Sequence, residues 1–188
     1  MNKLITTHDD MNWTTVGSEY LFRRPWLTVR RDCVRLPDGT EHPEFYILEY
    51  PTWVNVVAIT DKGEFVMIRQ YRHGIQETRY EIVAGCAEEG EEPEAAARRE
   101  LAEETGYTGG RWSLLTVLSP NATSNNNLSY SFLAEGVVKT EGQHLDATED
   151  IRVCLLSRDE VLHLLQTDEL RQALMAAPLW KYFYMNKI

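Results

Sequence analysis

The stretch from Gly85 to Tyr107 carries eight acidic residues in 23 positions, and it constrains the fold more than any other part of the chain. Pro93 stands where the first residue of a helix is favoured, and Gly106 stands where a helix typically ends. The residues between them are mostly Ala, Glu and Arg, which favour helix. The sequence therefore predicts a loop from Gly85 and then a helix from Pro93 that stops at Gly106.

Three carboxylates of this helix share one face. At about 100° per residue, Glu100, Glu103 and Glu104 fall within roughly 100° of arc. Glu100 and Glu104 are like charges one turn apart, which costs a helix about 0.2–0.5 kcal/mol. A bound cation would reverse that cost, and hard divalent cations such as Mg²⁺ prefer carboxylate oxygens. A solvated acidic face is the alternative, and the acids alone do not decide between the two.

The spacing of the stretch favours the metal site. It fits the pattern G-x5-E-x7-R-E-L-x-E-E-x-G, with Gly85, Glu91, Arg99, Glu100, Leu101, Glu103, Glu104 and Gly106 in place. The pattern resembles the Nudix box, the loop–helix metal site of hydrolases that cleave nucleoside diphosphates linked to another group. Tyr107 departs from it, since an aliphatic residue is usual there, and this affects packing rather than metal binding.

The composition of the chain excludes several classes of protein. Its 188 residues suffice for one full domain and a small addition. The net charge of −10 argues against binding nucleic acid through a basic surface. The three cysteines fit neither a disulfide framework nor a zinc site, which favours a reducing cytoplasm. No apolar run is long enough to cross a membrane.

Apolar and alternating runs predict two groups of strands. The segments Tyr20–Arg23, Trp26–Leu36 and Phe45–Tyr50 indicate a small antiparallel sheet, preceded by residues 1–17, which we expect to be loosely packed. Six further strands are predicted at Val54–Ile59, Glu64–Tyr71, Arg79–Ala84, Trp112–Leu118, Leu128–Ala134 and Ile151–Leu156. The pattern therefore indicates an α/β protein with an N-terminal β-subdomain over residues 1–50.

Two helices are predicted after the last strand. Ser157 and Glu160 fit a capping box, and apolar residues follow at helical spacing. Thr167 is a candidate cap for a second helix, which Pro178 should end or kink near Ala177. Mixed strands with a central helix and terminal helices suggest an α/β sandwich.

The resemblance adds a topology and an activity. Nudix domains are α/β/α sandwiches with a mixed sheet, which implies such a domain at residues 51–188. The segments Gln70-Tyr71-Arg72 and Glu81-Ile82-Val83-Ala84-Gly85 are similar to those of ADP-ribose pyrophosphatases, although many relatives have Pro where Val83 stands. The resemblance implies an enzyme that uses Mg²⁺, or Mn²⁺ in its place, to split a nucleoside diphosphate sugar, ADP-ribose first. GDP-mannose, a dinucleoside polyphosphate and a catalytically silent sensor domain are the alternatives.

The resemblance also implies roles for individual residues. Oxygen ligands for the metal are expected from the Ala84 carbonyl and from Glu100, Glu103, Glu104 and Glu149. Substrate contacts are expected from Arg72, Glu81 and Pro120. Catalytic roles are expected for Arg99, Glu103 and Glu149, with Arg99 positioning neighbouring carboxylates such as Glu103. Gly85 would supply a tight turn beside the metal.

The loop before the last strand should carry the catalytic base. Residues 145–151 match a loop that holds acids in the enzymes this chain resembles, and Glu149 matches the acid that binds metal there. Ala147 stands where the base is expected. The role could fall to Asp146, to Glu149, to Glu103, or to a water that the metals alone acidify. Our hypothesis is Glu149, with the loop closing over bound substrate.

The N-terminal sheet predicts a homodimer. A small sheet with Trp26, Phe45 and Tyr46 has more apolar surface than it can bury alone. Related pyrophosphatases use this segment as a dimer contact, which the resemblance carries to residues 18–50. The expected partners are thus a nucleotide sugar and a second copy of the chain, with no nucleic acid and no membrane.

Overall fold

The computed structural model describes residues 11–24 and 27–186. Trp26, which belongs to the predicted N-terminal sheet, lies outside the described residues. Within the two described ranges, no helix combines the length and apolar composition that a membrane span needs. The chain divides into two compact units, a small N-terminal one and a larger one.

The smaller unit is a three-stranded antiparallel sheet, as predicted. Its strands, in spatial order, are β1 (Thr14–Arg24), β2 (Leu27–Arg35) and β3 (Glu41–Glu49). The expectation of loose packing up to residue 17 is wrong for Thr14–Gly17, because this segment pairs with the end of β2. The unit also takes in Asn121–Asn126, where Leu48 exchanges backbone hydrogen bonds with Ser124 (2.7 Å) and Asn126 (3.2 Å).

The larger unit is built on a six-stranded mixed sheet. Its strands are β4 (Trp53–Thr60), β5 (Phe65–Arg72), β6 (Glu77–Cys86), β7 (Tyr107–Leu118), β8 (Ser129–Lys139) and β9 (Arg152–Leu156). The spatial order is β7-β8-β4-β6-β5-β9, with β4 and β8 parallel and the other pairs antiparallel. The six predicted strands are present, but β7 begins earlier and β8 ends later. The extended parts contain glycines, and because Gly is depleted in strands the sequence does not predict them as strand.

Helices cover both faces of this sheet, which makes the unit an α/β/α sandwich. They are α1 (Pro93–Thr105), α2 (Arg158–Gln166) and α3 (Ala173–Met185). On one face, Val56 of β4 lies in a core with Leu101 of α1. On the other face, Val57 lies in a core with Val161 of α2 and Leu179 of α3. Successive residues of a strand point to opposite faces, so β4 supplies both cores.

The connection between the last two helices confirms one prediction and corrects another. The capping box of α2 is present, with Ser157 and Glu160 bonding each other's backbone N–H groups. The next helix begins at Ala173, and the prediction that Thr167 caps it is wrong. The physical reason is Asp168, which adopts a left-handed conformation (φ 56°) and turns the chain away after α2.

Helix α3 runs through Pro178 instead of ending near Ala177. Proline has no N–H, so within a helix it leaves the carbonyl four residues earlier without its usual donor. That carbonyl belongs to Leu174, and it accepts a hydrogen bond from Asn55 Nδ2 of β4 (3.3 Å). Asn55 is buried, and its Nδ2 also lies 3.2 Å from Ser129 Oγ. A buried strand residue thus stabilises the helix that proline would otherwise weaken.

We expect Asn55→Ala to lower the free energy of unfolding by about 1–3 kcal/mol, because the Leu174 carbonyl loses its donor. In a Pro178→Ala background the same change should cost less, since the new backbone N–H can serve that carbonyl. Urea unfolding of the four proteins gives the coupling between the two sites. An equal cost in both backgrounds would show that the Asn55 bond does not compensate for the proline.

Candidate active site

Helix α1 brings the acids of the box to the sheet. It begins at Pro93 and stops at Gly106, as predicted, with Gly106 in the left-handed conformation (φ 74°). Leu101 is fully buried in the core beneath the helix. That orientation also turns Glu104 inward, where it is 3% exposed, and leaves the Glu103 side chain 43% exposed. The acids of the predicted face therefore lie at different depths.

Gly85 makes room for Glu100. A Cβ atom at Gly85 would lie 2.1 Å from Glu100 Cδ, so any other residue there would displace the carboxylate. The tight turn predicted at Gly85 is wrong, because this residue lies within β6 and pairs with Val54 of β4. What glycine supplies here is the close approach of a carboxylate to the strand.

Arg99 joins the acidic loop to the helix. Its guanidinium bonds both oxygens of Glu91 (3.0 and 3.1 Å), Glu100 Oε1 (3.0 Å) and Glu103 Oε2 (2.9 Å). It also donates to the Cys86 carbonyl at the end of β6 (2.9 Å). The hydrogen bond to Glu91, and after it the one to Glu103, outweighs burial and raises the pKa of Arg99. The predicted contact between Arg99 and Glu103 is confirmed.

Glu104 is the most deeply buried acid of the box. Burial, followed by the charges of Glu100 and Glu149, raises the pKa of its carboxyl to about 9. A hydrogen bond from the Ala84 backbone and the charge of Arg72 act in the opposite direction. Its Oε2 atom is buried and has no hydrogen-bond partner among the described residues. An unpartnered buried carboxylate oxygen is costly, and a cation would remove that cost.

Arg72 and Glu81 form an ion pair across β5 and β6. Arg72 Nε and Nη2 lie 2.9 and 2.6 Å from the two Glu81 oxygens, and Gln70 Nε2 lies 3.2 Å from one of them. Glu81 is 2% exposed, so it depends on this partner. The hydrogen bond to Glu81 raises the pKa of Arg72 despite burial, and the charges of Glu104 and Glu149 add to the effect. Arg72 therefore lies within the field of the box acids.

The acidic loop, residues 140–151, is tied to the C-terminal end of α1. The Gln143 side chain donates to the carbonyls of Glu104 (2.7 Å) and Ile151 (3.1 Å). The last carbonyls of a helix have no partner within it, so such bonds satisfy them. Sequence reasoning missed Gln143, because one more polar residue in a polar loop gives no signal.

The fold brings Glu149 to the site and places Pro120 further along the sheet. The charge of Glu149 contributes to the raised pKa of Glu104 and of Arg72. Glu149 Oε2 also accepts a hydrogen bond from the Asp146 backbone N–H (3.0 Å), which closes a turn of the loop. Pro120 follows β7, three strands away from β6. Its substrate contact stays a prediction.

The acids of this site suit a divalent cation that is bound partly by the protein and partly by the substrate of the enzyme. In the described part of the chain, no group of three or more His, Cys, Asp or Glu side chains forms a ready-made metal site. Arg99 instead engages Glu100 and Glu103. Mg²⁺ usually takes one or two carboxylates and completes its shell with water and substrate phosphates. The unpartnered oxygen of Glu104, with Glu100 close by, meets that need.

Comparisons with known proteins identify the families and proteins that this chain resembles. The NUDIX domain family matches residues 49–177, and the nucleoside diphosphate sugar hydrolase N-terminal domain family matches residues 13–48. The chain is 34% identical over 160 residues to an ADP-ribose pyrophosphatase of Bacillus subtilis strain 168, covering 85% of this chain and 86% of that one. It is 32% identical over 153 residues to a methanol dehydrogenase activator of Bacillus methanolicus, covering 81% and 82% of the two chains.

The fold also has a solved counterpart. The crystal structure of an ADP compounds hydrolase matches with a TM-score of 0.77, over 93% of this chain and 96% of that one, at 21% identity. At this identity the likeness shows the fold alone, while the family match and the Bacillus subtilis relative show the family. Nudix hydrolases generally use divalent metal ions. The chain therefore belongs to the Nudix hydrolase family and is a Nudix pyrophosphohydrolase similar to ADP-ribose pyrophosphatases.

Proposed function

We propose that this enzyme hydrolyses the diphosphate bond of a nucleoside diphosphate sugar, ADP-ribose first, in the presence of Mg²⁺. The products would be a nucleoside monophosphate and a sugar phosphate. The observation that carries the proposal is the unpartnered Oε2 atom of the buried Glu104 carboxylate, which lies within the field of the Arg72 guanidinium. The Glu104 carboxylate favours a bound cation, and the Arg72 guanidinium favours a bound phosphate. The Bacillus subtilis relative and the N-terminal domain family support the substrate class.

Two or three divalent ions would be held by oxygens of the box and the acidic loop. We assign these oxygens to the Ala84 carbonyl and to Glu100, Glu103, Glu104 and Glu149. Bound Mg²⁺, or Mn²⁺ in its place, would neutralise the diphosphate and lower the pKa of a water molecule. The chain prepares these oxygens itself, because Gly85 gives Glu100 its room and Arg99 fixes Glu103.

Arg72 would bind a phosphate of the diphosphate. Glu81 engages its Nε and Nη2 atoms, which fixes the guanidinium and leaves Nη1 without a protein acceptor in the described residues. Nη1 can therefore donate to a phosphate oxygen. In this proposal Glu81 acts through Arg72, and Pro120 contacts the substrate from the side of β7.

A panel of nucleotide sugars with Mg²⁺, scored by phosphate released after phosphatase treatment, tests the proposal. The wild-type enzyme should split ADP-ribose and should stop in excess EDTA. Glu104→Gln should remove most of the activity and leave the fold intact, because an amide is a poorer ligand for a hard cation than a carboxylate. Full activity in EDTA, or wild-type rates in the variant, would overturn the proposed site.

The same substitution should stabilise the metal-free protein at neutral pH. The pKa of Glu104 is about 9 in the folded chain and lower in the unfolded chain. Between these values the unfolded chain has released a proton that the folded chain keeps, so stability falls as the pH rises. Glu104→Gln removes this penalty, and the Tm of the variant should exceed that of the wild type near pH 8 but not near pH 4. Glu103→Gln on the exposed side of α1 is the control, and an unchanged Tm difference across this range would contradict the argument.

Glu149 is the proposed base, because its charge lies near Glu104 whereas Asp146 contributes a backbone N–H. At saturating Mg²⁺, Glu149→Gln should lower kcat by roughly 10²-fold or more, the usual size of a general-base effect. Asp146→Asn in the same loop is the matched variant and should turn over like the wild type. If neither variant loses activity, the loop is not catalytic and the base lies on α1, with Glu103 as the candidate.

We propose that the three-stranded sheet makes a homodimer contact. Every residue of β1 is exposed, and among the described residues β1 is an edge strand that pairs with β2 alone. The exposed large apolar side chains of this sheet include Val16, Tyr20, Leu21, Phe22, Leu27 and Tyr46. Concentrations of exposed apolar side chains mark interaction surfaces.

Light scattering at micromolar concentration should give twice the 21.7 kDa mass of the chain. Phe22→Glu should shift the protein to monomer, because the new charge would be buried in the contact. Leu114→Glu on β7 is the matched control, since Leu114 is 55% exposed and Phe22 is 56% exposed. A wild-type monomer, or a dimer that both substitutions leave intact, would contradict this interface.

A further inference from the structure

A cavity of about 700 Å³ lies in the larger unit beside the proposed phosphate site. The β5–β6 turn and the segment that joins α2 to α3 form its walls, and its lining includes Arg72, Ile75, Arg79, Tyr80, Arg171 and Gln172. Small-molecule sites typically enclose about 300–1,000 Å³. Because Arg72 and Glu81 belong both to this cavity and to the phosphate site, a ligand held at Arg72 can extend into it.

Both walls of the cavity contain unfavourable backbone conformations. Gln76 in the β5–β6 turn (φ 55°) and Asp168 after α2 (φ 56°) are the two non-glycine residues with positive φ in the described ranges. Such conformations persist only where the surrounding structure maintains them, and they cluster at functional sites. At Asp168 the turn is closed by backbone hydrogen bonds to the last turn of α2, and it carries Glu169 into an ion pair with Arg79.

The charged groups around the cavity balance one another. They are three guanidiniums and three carboxylates: Arg72, Arg79, Arg171, Glu77, Glu81 and Glu169. These six charges cancel, so they leave no excess positive charge to attract a second anion into a chain of net charge −10. A neutral group rich in hydroxyls suits it better, because each hydroxyl donates to a carboxylate and accepts from a guanidinium.

Arg171 is the least engaged of the three cations. Its Nε lies 4.0 Å from Glu77 Oε2, and within the described residues its guanidinium donates no hydrogen bond. Arg79, by contrast, is held by both Glu77 and Glu169. The side chain of Arg171 is 54% exposed, so a ligand in the cavity can reach its donors and its replacement disturbs no core.

We propose that this cavity holds the sugar of the nucleoside diphosphate sugar and that Arg171 determines sugar specificity by donating to its hydroxyls. The inference rests on the proposed function, which sets the diphosphate at Arg72. Substrates whose sugars have different hydroxyl patterns would then bind with different affinities because of Arg171. The binding of the nucleotide part of the substrate would not depend on Arg171.

Equilibrium binding with Mg²⁺ tests this proposal. One probe is ADP-ribose with a methylene bridge between its phosphates, which resists hydrolysis. The other is the matching ADP analogue that carries a methyl ester in place of the ribose. Arg171→Ala should raise the Kd of the first probe roughly tenfold, the usual effect of losing one hydrogen bond to a charged group, and leave that of the second unchanged. Arg111→Ala, at an exposed arginine on β7, is the control and should change neither value.

The other outcomes overturn the inference in distinguishable ways. Equal weakening of both probes would mean that Arg171 acts on the diphosphate, and no weakening of either would mean that the sugar lies elsewhere. In both cases the proposed function stands. If the wild-type protein binds neither probe, the proposed substrate class is wrong and the sugar site fails with it.

Discussion

The contact between the Glu100 carboxylate and the bare backbone of Gly85 sets the geometry on which the site depends. It lets α1 approach β6 closely, and Arg99 secures that approach by bonding to the end of the strand. With the helix in this position Leu101 fills the core, and Glu104 is carried beneath the surface beside it. The same orientation of α1 therefore packs Leu101 into the core and buries the Glu104 carboxylate.

The site concentrates negative charge in a chain that is already acidic, and two arginines make this tolerable. Arg99 bonds the outer acids of the box and offsets part of their charge, and Arg72 pairs with Glu81 on the neighbouring strand. Glu104 has no such dedicated partner, so the folded chain keeps one carboxylate in an environment that opposes its charge. Function often requires local instability of this kind, which the rest of the fold must offset.

The sequence predicted what depends on local pattern and missed what depends on distant partners. The bounds of α1 follow from Pro93 and Gly106, and the spacing of the box acids identified the family. No local pattern links Asn55 to the carbonyl of a helix over a hundred residues later, and none assigns Gln143 to the end of α1. The reason for Gly85 was also out of reach, because a glycine in a strand and a glycine in a turn look alike in one sequence.

The loop Asn121–Asn126 has a consequence for the order in which the chain folds. The backbone of Leu48 on β3 forms hydrogen bonds with this loop. This edge of the small sheet therefore stays unpaired until more than seventy further residues have been synthesised. Contacts that close so long a loop form slowly, since the entropy of closure is lost before the contacts are gained. During synthesis the unpaired edge of β3 must therefore avoid pairing with other chains. A fragment that ends at Tyr50 would lack Asn121–Asn126, the segment that bonds to this edge.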